Sequence, residues 1–225
     1  MISSVYSESP PPEPVRHAVR CLWRSAPRGP RRIVPDGCLD LVAGDGEVFV
    51  AGPDTGPWSS ATTPGVVLHG LRFRPGAAAG VLGVAADELR DTRVPLAALW
   101  GHEGAVLAER VLDGTLSLAE VVRQRLAEPD PAVTAVVAHL ERGPSRVGAL
   151  PASLGERQLR RRFTIAVGYG PATYLRVTRL QRAIAAAPRV TRLAELAATA
   201  GYADQAHLAR DCRALTGLTP SAYFS

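Results

Sequence analysis

Along residues 204–216, DQAHLARDCRALT, the apolar positions Leu208, Cys212 and Leu215 recur at i, i+4 and i+7, and Gln205, Ala206, Ala209, Arg210 and Arg213 fill the other side. That spacing predicts an amphipathic helix with one buried stripe. Asp204 is placed to cap it, and Gly217 supplies the left-handed residue that ends it. Thr219 then caps a last short helix whose first residue, Pro220, has no amide hydrogen to leave unsatisfied; Tyr223 and Phe224 give that helix an apolar surface to dock. Upstream, TRLAELAATAGY sets Leu193, Leu196 and Ala197 on one face and turns through Gly201, and PATYLRVTRLQRAIAAA carries Tyr174, Val177, Leu180 and Ile184 at helical spacing.

The pattern repeats. LRRRFTIAVGYGPATY, residues 159–174, lies over LARDCRALTGLTPSAY, residues 208–223, at a constant offset of 49, matching Leu159 to Leu208, Arg161 to Arg210, Gly168 to Gly217, Pro171 to Pro220 and Tyr174 to Tyr223. Each identity has a structural role, so the chain holds two copies of one supersecondary unit. Helix, short glycine turn, helix is the arrangement of a DNA-binding helix-turn-helix, with the residues around 174–184 forming the helix that ties the copies together.

The first 143 residues read differently. AVRCLW, RRIVP, CLDLVA, EVFVAG and VVLHGLRFRP are short strand-like runs over about 15–74, separated by Pro and Gly, and suggest a small antiparallel barrel or sandwich. PGAAAGVLGV, PLAALW, EGAVLAERVL, SLAEVVRQRLAE and PAVTAVVAHLERG, over about 76–142, look helical, with Pro, Ser or an acidic residue at their starts. The expected fold is α+β: a small β-barrel domain with following helices over 1–143, a linker near Gly143 and Pro144, and an all-α domain with two helix-turn-helix units over 144–225.

Charge follows the same division. Every one of the 26 basic residues is arginine; residues 144–225 hold twelve of them against four acids, and residues 1–143 hold fourteen against seventeen. A basic domain of that size is what a polyanion-binding module needs. No run of about 18 apolar residues occurs, and MISSVYSESPPPEPVRHAVR lacks a basic region followed by an apolar one, so a cytoplasmic protein with no membrane partner is expected. Cys21, Cys38 and Cys212 are too few and too scattered for a disulfide framework; they read as small thiols filling core space, with a Cys21/Cys38 redox pair as the alternative.

The phrase GYADQAHLARDCRALTGLTPSAY resembles the C-terminal signature of the AraC/XylS family of bacterial transcription regulators, in which a glycine-aromatic pair, an Asp-Gln pair, Leu/Phe-x-Arg, Gly-x-x-Pro and a tyrosine stand at this spacing. The resemblance covers residues 144–225. It implies two recognition helices entering successive major grooves: GERQLRRRFT, 155–164, presenting Arg157, Arg160, Arg161 and Thr164, and DQAHLARDCR presenting Gln205, Ala206, Arg210 and Arg213. Arginine can pair two donors with guanine, and glutamine can do the same with adenine. Three departures stand out. Gly155 replaces a serine cap, the lead helix SRVGALPAS is short and contains Pro151, and Cys212 replaces a core phenylalanine. RIVPDGCLDLV and LRFRPGAAAGVLGV resemble, more weakly, the N-terminal domain of one branch of the family, which implies a cupin-like sensory and dimerisation domain.

Catalysis is not expected. His17, His69, His102 and His139 are widely separated where a metal-dependent cupin needs clustered histidines, and no serine elbow or phosphate loop occurs. No cofactor and no metal are therefore assigned, and His207 reads as a partly buried side chain or a phosphate contact. Asp36 and Asp40 in PDGCLDL read as a turn followed by a strand, Asp40 bonding to backbone or to an arginine. Trp23, Trp58, Trp100, Phe73 and Arg72 either line a ligand pocket or form core. The resemblance implies promoter DNA as partner, a small-molecule effector whose binding residues the sequence does not identify, RNA polymerase, and a homodimer. The rival reading is a small-molecule-binding or enzymatic barrel with a basic tail that binds nucleic acid nonspecifically.

Overall fold

The computed structural model describes residues 5–27, 29–60, 63, 65–143 and 155–225. Its strands are β1 (Val5–Ser9), β2 (Val19–Ala26), β3 (Arg31–Ile33), β4 (Asp40–Gly44), β5 (Glu47–Ala51), β6 (Trp58–Ser60), β7 (Leu68–Phe73) and β8 (Arg93–Pro95). A six-stranded sheet runs in the order β1-β2-β7-β4-β5-β8, every pair antiparallel, and β3 and β6 form a separate two-stranded ribbon. β2, β3, β4, β5 and β7 coincide with the strand-like runs of the sequence. β1, β6 and β8 do not; they are edge or ribbon strands with too little alternation to announce themselves. Pro95 sits in the edge strand β8, where a missing amide hydrogen breaks no ladder.

Period-two alternation gives the sheet two distinct faces. Leu41, Ala43, Val48, Val50, Leu71 and Phe73 point to one side, where they join the main core. The helices over that face are α1 (Ala78–Leu82), α2 (Leu96–Leu112) and α3 (Leu118–Gln124), which add Val81, Leu82, Leu96, Leu107, Leu118 and Val122. Gly101 interrupts α2 with φ 61° and ψ −137°, which is why PLAALW and EGAVLAERVL read as separate segments. Ser117 and Glu120 close a reciprocal capping box at the start of α3.

α4 (Pro131–Glu141), capped by Asp130, belongs to another core. Its Val133, Val136, Val137 and Leu140 pack with Leu159 and Phe163 of α5 (Glu156–Val167) and with Tyr174, Val177 and Leu180 of α6 (Pro171–Ala186). A third cluster joins Ala183 of α6 to α7 (Leu193–Ala200) and α8 (Gln205–Thr216) through Leu196, Ala200 and Leu208. α9 (Pro220–Tyr223) ends the chain; Phe224, just beyond it, packs on both of these clusters. The short lead helix expected over SRVGALPAS, with Pro151, lies outside the described residues.

Candidate nucleic-acid interface

The internal repeat is reproduced helix for helix. α5 and α8 begin and end 49 residues apart, and α6 and α9 start at the matched prolines, Pro171 and Pro220. Both α5 and α8 stop at a left-handed glycine, Gly168 at φ 99° and Gly217 at φ 73°, whose amide returns to a helix carbonyl. The start signals differ. Asp204 accepts from the His207 amide at 2.6 Å, whereas Gly155 gives α5 no side-chain cap.

Burying one stripe of each helix decides what the other stripe offers. In α5, Leu159, Phe163, Ala166 and Val167 are inside, leaving Arg157, Arg160 and Arg161 exposed and Thr164 half-buried. In α8, Leu208, Cys212 and Leu215 are inside, leaving Gln205, Ala206, Arg210 and Arg213 exposed. Arg160 pairs with Glu156 at 3.0 Å one turn away, an exposed contact that phosphate can displace. Three further arginines are held elsewhere. Arg162 bonds to Asp130 at 2.6 Å, Arg176 to buried Asp211 at 2.8 Å, and Arg182 donates to the Leu140 carbonyl. These three fasten helices to each other. His207 is half-buried, edge-on to the Tyr202 ring at 5.0 Å and 3.7 Å from Asp211.

Two features around these helices had no signal in the sequence. The one-turn 3-10 helix Ala86–Leu89 lies against α5, so that Asp87 and Glu88 share a groove with Arg160, Arg161 and Thr164. Among the described residues neither acid is in an ion pair, and Asp87 Oδ1 is buried with no hydrogen-bond partner. The β3–β6 ribbon reaches the other unit: Arg32 donates to the Thr216 carbonyl at the end of α8, and the Gln181 amide of α6 donates to the Pro35 carbonyl at 2.7 Å.

Gly168 closes the contact between the two halves of the chain. A Cβ there would stand 2.2 Å from Pro53 Cγ and 3.1 Å from the Ala86 carbonyl, on top of the strain of a positive φ. Gly168→Ala is therefore expected to lower stability by about 1–3 kcal/mol, read as a drop in melting temperature. Gly217→Ala meets only Arg32 Nη1 at 3.1 Å and Pro57 Cγ at 3.5 Å, and should cost less. Equal losses would remove Pro53 from the account.

The outward face of the sheet frames a cavity of about 410 Å³ beneath the β3–β6 ribbon. Strand register arranges its floor in rows. One row runs Arg72, Asp40, Ala51, Arg93 across β7, β4, β5 and β8; the next runs Trp23, Gly70, Val42, Phe49 across β2, β7, β4 and β5. Arg72 holds Asp40 through two bonds of 3.1 Å, lies 3.1 Å from Asp36, and Trp23 Nε1 donates to Asp40 at 3.1 Å. Burial pushes the Asp40 carboxyl up to about 6, against the pull of the Arg72 guanidinium. The Asp36 carboxylate accepts from the Cys38 amide, forming the turn expected of Asp-Gly. Of the five residues offered as pocket or core, Trp23, Trp58 and Arg72 line this cavity. Phe73 does not, since its register places it on the helix-covered face, and Trp100 packs on that core with Nε1 bonded to the Leu82 carbonyl. Cys21 and Cys38 are buried free thiols, and burial drives both away from the thiolate, Cys21 up to about 11.

Residues 149–225 match a family model described as "Helix-turn-helix domain", and residues 7–95 match one described as "Domain of unknown function (DUF6597)". No curated protein matches the chain. Among solved structures, ToxT from Vibrio cholerae O395 is 10% identical, with a TM-score of 0.45 over 90% of this chain and 95% of that one. ToxT bound to (E)-4-(8-methylnaphthalen-1-yl)but-3-enoic acid is likewise 10% identical, with a TM-score of 0.42 over 88% and 90%. Among the described residues no helix is long and apolar enough to cross a membrane.

Proposed function

We propose, for a chain whose residues 149–225 form a helix-turn-helix domain of AraC type, that this DNA-binding transcription regulator reads two successive major grooves, one with α5 and one with α8. The observation that carries the reading is the equivalence of the two helices. They share an offset of 49, a buried leucine at 159 and 208, and an exposed arginine at 161 and 210. Arg157, Arg160, Arg161 and Thr164 on the first and Gln205, Ala206, Arg210 and Arg213 on the second are the proposed DNA contacts, with arginine suited to guanine or phosphate and Gln205 to adenine.

The DNA-reading domain is proposed to start at α4 rather than after residue 143, because α4 buries its apolar face against α5 and α6 and accepts Arg162 at its capping aspartate. The cavity under the β3–β6 ribbon is the proposed effector site. Its size lies within the range of about 300–1,000 Å³ typical of small-molecule pockets, and its ribbon is bonded to the end of α8. A second copy of the chain and RNA polymerase are the protein partners proposed with this reading.

Selection of binding sites from random duplexes by the full-length protein, repeated across a salt series, tests it. Two sequence blocks about one helical turn apart are the expected result. Affinity without any preferred sequence, vanishing as salt rises, would leave only a basic surface. The acidic turn beside α5 adds a further expected outcome. Asp87 and Glu88 place negative charge where a phosphate would approach Arg160 and Arg161, so the double variant D87N/E88Q should bind DNA about threefold tighter at low ionic strength, with the gain shrinking as salt rises. Unchanged or weaker binding would mean that the turn is not in the path of DNA.

A further inference from the structure

The charge lining the cavity specifies the sign of its ligand. Resting on the reading of that cavity as the effector site, we propose that it takes an organic cation with a flat apolar body. Five carboxylates line it, those of Asp36, Asp40, Asp45, Glu47 and Asp54, against two guanidinium groups, Arg72 and Arg93. The arginines are already matched. Asp40 and Asp36 hold Arg72, and Asp54 holds Arg93 through contacts of 2.7 and 2.9 Å.

Asp45 and Glu47, in the β4–β5 hairpin at the rim, are left over. Among the described residues neither is in an ion pair, and Asp45 accepts only from the backbone and hydroxyl of Thr63. An excess of carboxylates around a concave apolar surface concentrates cations and repels anions.

The walls suit the rest of such a ligand. Trp23 lies flat across Gly70, so close that a Cβ there would stand 2.0 Å from its ring, and Phe49 and Val42 continue that surface. On the ribbon opposite, Ile33 and Trp58 are 44% and 38% exposed, unusually open for side chains of their size. The mouth already displays the chemistry that the proposal requires: the Arg93 guanidinium rests 4.3 Å from the Trp58 ring centroid while it pairs with Asp54. An aromatic face beside a carboxylate is how proteins hold an ammonium or amidinium group.

Three probes of similar shape and different charge test this on the full-length protein: (naphthalen-2-ylmethyl)trimethylammonium, neutral 2-naphthalenemethanol and anionic 2-naphthoate. Binding is read by calorimetry and by quenching of tryptophan fluorescence. The cation should bind about tenfold or more tightly than the neutral probe, and the anion most weakly. The variant D45N/E47Q should remove most of that advantage and leave the neutral probe unaffected. Asn tolerates the left-handed backbone at position 45, where φ is 56°, so the fold should persist, with thermal unfolding as the check. Neutral or anionic binding as tight as that of the cation would overturn the inference while leaving the cavity a ligand site. No binding of any probe would overturn the effector-site reading itself.

Discussion

Replacing Arg161 and Arg210 together with alanine is expected to weaken binding to a selected DNA site by about 2–6 kcal/mol, at least on the order of 30-fold, with little change in stability. The magnitude follows from two separate contacts of about 1–3 kcal/mol each, which should add because the arginines sit on different helices in different copies of the unit. The fold should tolerate the change because both side chains are exposed and neither is in an ion pair or hydrogen bond among the described residues. Titration of a labelled duplex at fixed salt, alongside a melting curve, measures both quantities. A loss as large on random DNA as on the selected site would reassign the arginines to phosphate. No loss on either would sink the dual-reading proposal.

Arg72→Ala should have the largest effect on stability. Its guanidinium bridges carboxylates from two strands and the loop between β3 and β4: Asp40 on β4 and Asp36 ahead of it at 3.1 Å, and Glu8 on β1 at 3.5 Å. The Arg72 and Asp40 side chains are only 22% and 16% exposed, so water screens the pair poorly. Removing the cation leaves clustered carboxylates without a partner, at a cost of about 3 kcal/mol.

The sign of the pH dependence follows from Asp40, whose folded pKa is about 6 against a usual 3.8. A carboxyl raised in the folded state contributes stability that is complete below its unfolded pKa and is lost as pH rises through the folded one. Loss of Arg72 raises it further, so the gap in urea midpoint between variant and parent should widen from pH 5 to pH 8. A gap that narrows over that range would show that Arg72 acts by packing alone. The double variant R72M/D40L should recover part of the loss, since an apolar pair needs no counter-charge.

The DNA-reading half was legible because its signals are local. Asp204, Gly217, Thr219 and Pro220 each act on the backbone within a few residues, and Leu208, Cys212 and Leu215 mark their stripe within two turns. The separation of exposed from buried residues on α5 and α8 follows from that stripe alone. Arg162, Arg176 and Arg182 show where local reading stops. Nothing adjacent in sequence tells them apart from Arg161; their partners, Asp130, Asp211 and the Leu140 carbonyl, lie 32 to 42 residues away.

The N-terminal half was legible only as a set of strands. β6 and β8 are three residues long, and β1 pairs along one side only, so none shows the alternation that a half-buried strand displays. Phe73 and Trp100 were indistinguishable by composition from Trp23 and Trp58: strand register decides the face on which Phe73 falls, and Trp100 sits on α2, a helix over that face, neither being set by residue identity.

Sequence by itself determined the two copied units, their caps and turns, the basic character of the DNA-reading half and the succession of strands and helices before it. All of these arise from backbone and side-chain preferences acting over less than about two turns of helix or one strand. Tertiary structure alone decided that Arg72, Asp40 and Arg93 share a row in the floor of a cavity, that Asp87 and Glu88 face α5, that Arg32 reaches the end of α8, and that α4 packs with the helices that follow it. Those placements come from strand pairing and the burial of apolar faces between distant segments, which no window of the chain contains.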